Sequence, residues 1–361
     1  MIYGHGDDTF RFSHIRTNFS SNIYGHADLS ALKAYLAAHL DAIQNYPEPA
    51  ADSLAALIAQ HHAISTDNVL VTNGATDAIY LIAQTFARDV THFSTDEPTF
   101  SEYADASILY GLKTRKNTET SEKTRKCLEN PERTQESVSE FFRSFPCFSV
   151  VRWLCNPNNP DGRIYTPEQI CEEARHSTLL VVDQSYEHYT QAPLLSPREA
   201  LDIPNLLLLH SLTKTYAVPG LRIGYVTGPA TLIGRLRAAA RPWAVNALAV
   251  EAGKWLFSHD VRAIDDLPAL LAETQRFAAA LARVPHLYVT PTATTFMLVR
   301  CDTLTAAKLK QRLATEHHLL IRDASNFPTL TPHHFRIATQ TSEENDTLVH
   351  ALRSIIIDDS F

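Results

Sequence analysis

One lysine asks for a chemical explanation before anything else in this sequence. Lys214 lies within Ser211-Leu212-Thr213-Lys214-Thr215-Tyr216-Ala217-Val218-Pro219-Gly220-Leu221-Arg222-Ile223-Gly224-Tyr225, directly after an apolar run from Leu206 to Leu209 and before a second apolar strand. An ammonium group enclosed between buried strands is costly, because loss of water disfavours the charged form. A lysine kept there is suited to act as a free amine that attacks an aldehyde cofactor and forms a Schiff base. Ser211, Thr213 and Arg222 add the hydroxyls and the permanent cation that hold a phosphate. Ser-x-x-Lys by itself is more often a surface turn. The Pro-Gly-Leu-Arg-x-Gly that follows, and three further clusters, argue for the chemical reading.

Each of those clusters follows a short apolar run that reads as a strand. Gly74-Ala75-Thr76 comes after Val69 to Thr72 and opens a helix running to Phe86, an arrangement that presents backbone N–H groups to an anion. Asn159 sits in the turn-rich Asn156-Pro157-Asn158-Asn159-Pro160-Asp161-Gly162, after a strand from Ser149 to Cys155. Asp183 ends the run Leu179-Leu180-Val181-Val182, and Tyr186 stands one turn beyond. The carboxyl ends of strands are where ligands bind in open α/β sheets. A pyridoxal phosphate site needs these residue types. A buried carboxylate, Asp183, keeps the pyridine nitrogen protonated so that the ring accepts electrons. Asn159 and Tyr186 supply donors for the phenolic oxygen, and Phe100 supplies a flat surface for the ring. Taken singly, each has an ordinary structural reading as a cap, a turn residue or a core aromatic; together and in this order they point to one site.

Strands alternating with helices predict an α/β fold with a mostly parallel sheet covered on both faces. Beyond Gly228 the pattern changes to long helices and then to a smaller α+β unit. The expected division is an arm over 1–45 joining the small domain, a large cofactor-binding domain over 46–230, and linking helices with a small C-terminal domain over 231–361. The stretch 113–134 is charged and aperiodic and reads as a solvated excursion without chemistry. A chain of 361 residues, 45% of them hydrophobic, can bury a large core. Its net charge of −8 argues against a nucleic-acid partner. No apolar stretch reaches membrane-spanning length and the start lacks the regions of a signal peptide, so no membrane association is expected. Five widely spaced cysteines imply reduced thiols and a cytoplasmic setting, and the 17 histidines show no metal-ligand spacing, so no metal is expected.

The combination Asn-Pro-Asn-Asn-Pro-Asp-Gly (156–162), Asp183-x-x-Tyr186 and Ser211-x-x-Lys214 with Arg222 resembles the fold-type I pyridoxal-phosphate enzymes, the aspartate aminotransferase superfamily, over essentially the whole chain. Asp161 stands where that family usually has threonine. The resemblance implies the pyridoxal-phosphate-dependent transferase fold, with a mostly parallel sheet of the seven-stranded type in the large domain. It implies pyridoxal 5'-phosphate as cofactor, Lys214, Asp183 and Tyr186 as catalytic residues, and a homodimer with shared active sites. Tyr46-Pro47 is similar to the segment whose tyrosine reaches the cofactor phosphate of the other subunit, and Arg336 matches the arginine that grips a substrate α-carboxylate. Within the superfamily, residues 211–225, 242–249 and 320–328 are most similar to the threonine-phosphate decarboxylases of cobalamin biosynthesis, with the histidinol-phosphate aminotransferases next. That likeness implies a small phosphorylated amino acid as substrate, with His5, Asn22 and Arg322 facing its phosphate. At the start, His5-Gly6 matches that family's His-Gly-Gly, with Asp7 in place of the second glycine. Decarboxylation, transamination and a non-catalytic ligand-binding relative remain alternatives, since they share one set of cofactor contacts.

Overall fold

The apolar runs of the sequence form the middle of a sheet whose strands are covered on both faces. The computed structural model describes residues 7–115, 150–259 and 262–358. In chain order its strands are β1 (Thr17–Asn18), β2 (Val69–Thr72), β3 (His92–Ser94), β4 (Lys113–Thr114), β5 (Val150–Cys155), β6 (Leu179–Asp183), β7 (Leu206–Ser211), β8 (Gly224–Thr227), β9 (Leu287–Val289), β10 (Phe296–Cys301), β11 (Leu319–Leu320), β12 (Arg322–Asp323) and β13 (His334–Ala338). The larger sheet has seven strands in the order β2-β8-β7-β6-β5-β3-β4. β8 runs antiparallel to both of its neighbours, and the other pairings are parallel. This is the α/β fold expected from the sequence, with seven strands.

β5, β6 and β7 are buried at every position, which is why their sequences read as continuous apolar runs rather than alternations. Their side chains still alternate between two cores. Trp153, Val181, Leu207 and Leu209 pack beneath helix Gly74–Phe86. Leu154, Leu180, Val182, Leu206 and Leu208 pack against Ile170 and Ala174 of helix Pro167–Arg175 on the opposite face. That second helix starts where its residue types require, with Pro167 in the first turn and a reciprocal Thr166–Gln169 capping box.

A four-stranded antiparallel sheet, β12-β13-β10-β9, carries the second core together with helices Leu267–Leu281, Ala306–Glu316 and Ser342–Asp358. The N-terminal segment is stitched into it. β1 pairs in parallel with β11, Phe19 is fully buried in that core, and its backbone bonds to both Leu320 and Ala338. Helix Ser30–Ala38 goes elsewhere, putting Leu32 beside Leu54, Ile58, Val69 and Ala249 on the larger sheet. Residues before position 45 therefore touch both units.

The sequence suggests one strand from Leu319 to Arg322, but the chain changes partner at Ile321. β11 pairs with β1, whereas β12 pairs with β13. Lys113 and Thr114 also depart from expectation. They form an exposed edge strand on β3, where two polar residues leave no apolar alternation to read, and 116–134 lie outside the described residues. Among the described residues no helix is long and apolar enough to cross a membrane.

Candidate active site

The strand directions explain why distant residues meet. β2, β5, β6 and β7 all run the same way, so the turns after them open on one edge of the sheet. β8 runs the other way, so the segment joining β7 to β8 stays on that edge and keeps Lys214 and Arg222 near Ser211. Gly224 makes this closeness possible. It lies opposite both Ser211 and Thr72, and a Cβ there would sit 2.7 Å from the His210 carbonyl and 3.0 Å from the Ala75 nitrogen. Gly74, with φ +84°, lies against Arg222, whose Nη2 would be 2.6 Å from an added Cβ.

A pocket with an empty volume of about 540 Å³ occupies this edge. Ala75, Thr76, Phe100, Asn159, Asp183, Tyr186, Ser211, Thr213, Lys214 and Arg222 line it, all singled out from the sequence. Lys214 follows Ser211 on the short helix Leu212–Thr215, its Nζ 6.0 Å from the centre of the Tyr186 ring. Burial, with the cations Arg336 and Arg222 next in weight, lowers its pKa to about 8. The ammonium form of an ordinary lysine would dominate at neutral pH, but a pKa of about 8 instead of 10.5 raises the free-amine fraction roughly 300-fold. Asp183 is buried and doubly held, accepting the Ser185 backbone N–H at 2.8 Å and the Tyr103 hydroxyl at 2.7 Å. Burial pushes its carboxyl up, and those hydrogen bonds work in the opposite direction. Ser211 and Thr213 join hydroxyls at 2.8 Å, and Arg222, itself in the left-handed region at φ 55°, is exposed.

Next to this pocket stands a pair of buried arginines. Arg322 and Arg336 are directly opposite one another across β12 and β13, so their side chains leave the sheet on the same face. Arg336 donates to the Asn159 side chain and to the Ser20 carbonyl at 2.7 Å. Arg322 donates to Asn326 at 2.8 Å. Burial depresses the pKa of both, most for Arg336, which the neighbouring Arg322 lowers further. Asn22 is buried and donates to the Tyr186 hydroxyl at 3.2 Å. Among the described residues, the Arg336 Nε and the Asn22 Oδ1 are buried without a hydrogen-bond partner. The open Arg336 N–H, beside a second buried cation, can donate to an anionic group, and the Asn22 oxygen can accept from a donor.

Tyr46, expected to serve the other subunit, lies apart from this pocket. It is 85% exposed and packs on Trp243 with ring centres 5.3 Å apart. His5 lies outside the described residues. Three pocket residues escaped the sequence reading: Tyr103, Cys155 and Ser185. Tyr103 lies three residues after Phe100 at the start of helix Glu102–Leu109, a helical spacing that could have signalled it. Cys155 faces Asp183 in the strand register, which no local pattern reveals.

The donors present suit pyridoxal phosphate. A helix start, paired hydroxyls and an arginine gather at one part of the wall, a carboxylate held by two donors at another, with an aromatic ring and a lysine of lowered pKa between. Residues 15–352 match the family described as aminotransferase class I and II. The threonine-phosphate decarboxylase of Salmonella typhimurium is 30% identical over 346 residues, covering 94% of this chain and 91% of that one. A histidinol-phosphate aminotransferase of Desulfitobacterium hafniense is 28% identical over 320 residues, 87% of this chain and 85% of its own. The crystal structure of L-threonine-O-3-phosphate decarboxylase from Porphyromonas gingivalis has a TM-score of 0.83 at 33% identity, covering 94% of this chain and 99% of that chain.

Proposed function

This chain belongs to the aminotransferase class I and II family and is a pyridoxal-5'-phosphate-dependent enzyme, and from that premise we propose that it decarboxylates L-threonine O-3-phosphate to an aminopropanol phosphate. The observation that carries the substrate class is the pair of buried arginines, Arg322 and Arg336, side by side on one sheet face beside the cofactor pocket. Two cations buried together favour a ligand with two anionic groups, such as a carboxylate and a phosphate. The similarity to threonine-phosphate decarboxylases supports the same reading.

When bound, pyridoxal phosphate supplies an aldehyde for the substrate amine and a ring that draws electrons from the bond broken at Cα. Arg336 grips the α-carboxylate, while Arg322, Asn22 and His5 hold the side-chain phosphate. Gly74, Ala75, Thr76, Ser211, Thr213 and Arg222 fix the cofactor phosphate, Phe100 backs the ring, and Asn159 and Tyr186 contact its phenolic oxygen. Asp183 keeps the ring nitrogen protonated. Lys214 holds the cofactor in the resting enzyme and afterwards delivers the proton that replaces the departing carboxylate at Cα. The two reactions would differ in what Arg336 and Arg322 do to the substrate: holding the carboxylate so that it leaves would give decarboxylation, and presenting Cα–H to Lys214 as base would give transamination.

The rival reading, transamination of histidinol phosphate or a related amino acid, is supported by the likeness to a histidinol-phosphate aminotransferase. A non-catalytic relative is disfavoured by the joint presence of Lys214, Asp183 and Arg222. Incubation with L-threonine O-3-phosphate, following carbon dioxide and pyridoxamine phosphate together, separates the two enzymes. Carbon dioxide without pyridoxamine phosphate is expected. Pyridoxamine phosphate from histidinol phosphate, with no carbon dioxide from phosphothreonine, would overturn the decarboxylase.

The same reading includes a cytoplasmic homodimer with the division at 45/46 and 230/231, in which Tyr46 reaches the cofactor phosphate of the other subunit. The exposure of Tyr46, outside its own pocket, supports that role. Mixed dimers of Tyr46→Phe and Lys214→Ala chains should retain one intact site; a fully active monomer would refute sharing.

A further inference from the structure

Asp183 owes its position to a residue that no motif of the sequence marked. Tyr103 is fully buried, stacked on Trp153 with ring centres 5.5 Å apart and planes 12° apart. The edge of Phe100 meets it at 5.7 Å. The Trp153 indole N–H is itself anchored on Ser107 at 3.1 Å, so the phenol is clamped from both sides. Its hydroxyl donates to Asp183 Oδ2 at 2.7 Å, while Asp183 Oδ1 accepts the Ser185 N–H at 2.8 Å. One short segment, Phe100 to Tyr103, thus supplies both the aromatic surface of the pocket and a donor to its carboxylate.

We propose that Tyr103 is a positioning residue that acts through Asp183, holding the carboxylate ionised and aimed so that it meets the cofactor's ring nitrogen as an anion. The proposal rests on the reading that Asp183 faces that nitrogen. Burial alone favours the neutral acid, and the hydrogen bonds from Ser185 and Tyr103 oppose it. The other groups near the carboxylate give it less. Cys155, opposite Asp183 in the register, bonds to the Pro157 carbonyl at 3.2 Å and is held neutral because burial pushes its thiol far up. His210 gives only a charge contribution, the last of those that bear on Asp183, and its ring bonds to Glu187 and Thr227. Ser185 acts on Asp183 through both its hydroxyl and its backbone N–H, from the same turn, whereas Tyr103 brings its donor from a separate helix.

Without the phenolic hydroxyl, Asp183 would hold the shared proton more tightly and the ring nitrogen less so. The ring would lose positive charge, and the nitrogen joining Lys214 to the cofactor would keep its proton to higher pH. The test is a spectrophotometric pH titration of purified, cofactor-loaded Tyr103→Phe, with steady-state kinetics beside it. The midpoint of the visible band should rise by about one unit, and kcat should fall roughly tenfold with KM within twofold, the scale of losing an outer partner. Tyr103→His, which keeps a ring N–H donor, should restore most of the midpoint. A purely structural role would lower the melting temperature of Tyr103→Phe and leave the midpoint where it is. An unmoved midpoint and unchanged kcat in Tyr103→Phe, while Asp183→Asn loses both, would overturn the role of Tyr103 alone. If Asp183→Asn also leaves spectrum and turnover intact, the reading of Asp183 itself fails.

Discussion

The cofactor pocket and the arginine pair beside it are built differently. In the first, Ser211 and Asp183 find partners two residues on, Tyr103 reaches Asp183 from 80 positions away, and Asn159 and Tyr186 tie the pocket to the second region. Helix Gly74–Phe86 starts directly off β2. The second is assembled across the length of the chain. Arg336 donates to the Ser20 carbonyl, 316 positions away, and keeps a buried Nε without a partner among the described residues. On the proposed reading, the first region holds the resident cofactor and the open Arg336 donor serves the substrate. The lesson is that the two halves should respond differently to mutation.

The most damaging change should be Lys214→Ala. It removes the amine, so borohydride should no longer trap cofactor covalently and turnover should fall by at least about three decades. Covalent trapping that survives would move the chemistry to another lysine. Asp183→Asn comes next. It should retain pyridoxal phosphate but lose roughly two decades in kcat, because an amide does not hold the ring proton as a carboxylate does. Turnover equal to wild type would remove Asp183 from the site.

A smaller effect is expected from pH. In cofactor-free protein, the ammonium form of Lys214 dominates below its pKa and the reactive amine above it. With that pKa lowered to about 8, the rate of cofactor uptake should climb from pH 6.5 and level off above about pH 9. Uptake still rising steeply at pH 10, as an ordinary lysine near 10.5 would give, would contradict burial beside Arg336 and Arg222. Stopped-flow mixing of apoprotein with pyridoxal phosphate measures this directly.

How legible the molecule was in its sequence follows the same contrast. The strands carrying Asp183, Asn159 and Ser211 are short apolar runs ending in polar turns, and the local pattern is enough to place them. The division of 319–322 between β11 and β12 depends on β1 and β13, which lie far off in sequence, so periodicity could not show it. The opposition of Arg322 and Arg336 is likewise a matter of register, invisible without the sheet. Tyr103 was hidden for another reason: an aromatic residue at helical spacing reads as core, and it is core, with its hydroxyl serving the site. The contact of buried His210 with the partly buried Glu187 at 3.0 Å also follows from no pattern, because the run before His210 reads simply as an apolar strand.

The most direct test asks whether the arginine pair recognises a second anion. Wild type and Arg322→Ala are compared for kcat/KM on L-threonine O-3-phosphate and on L-threonine. Loss of a buried cation facing a phosphate should cost on the order of 2–4 kcal/mol, about 30-fold or more, on the phosphorylated substrate, and should leave the weak activity on free threonine within about twofold. A wild-type enzyme that prefers free threonine, or an Arg322→Ala variant that loses both activities equally, would contradict the account.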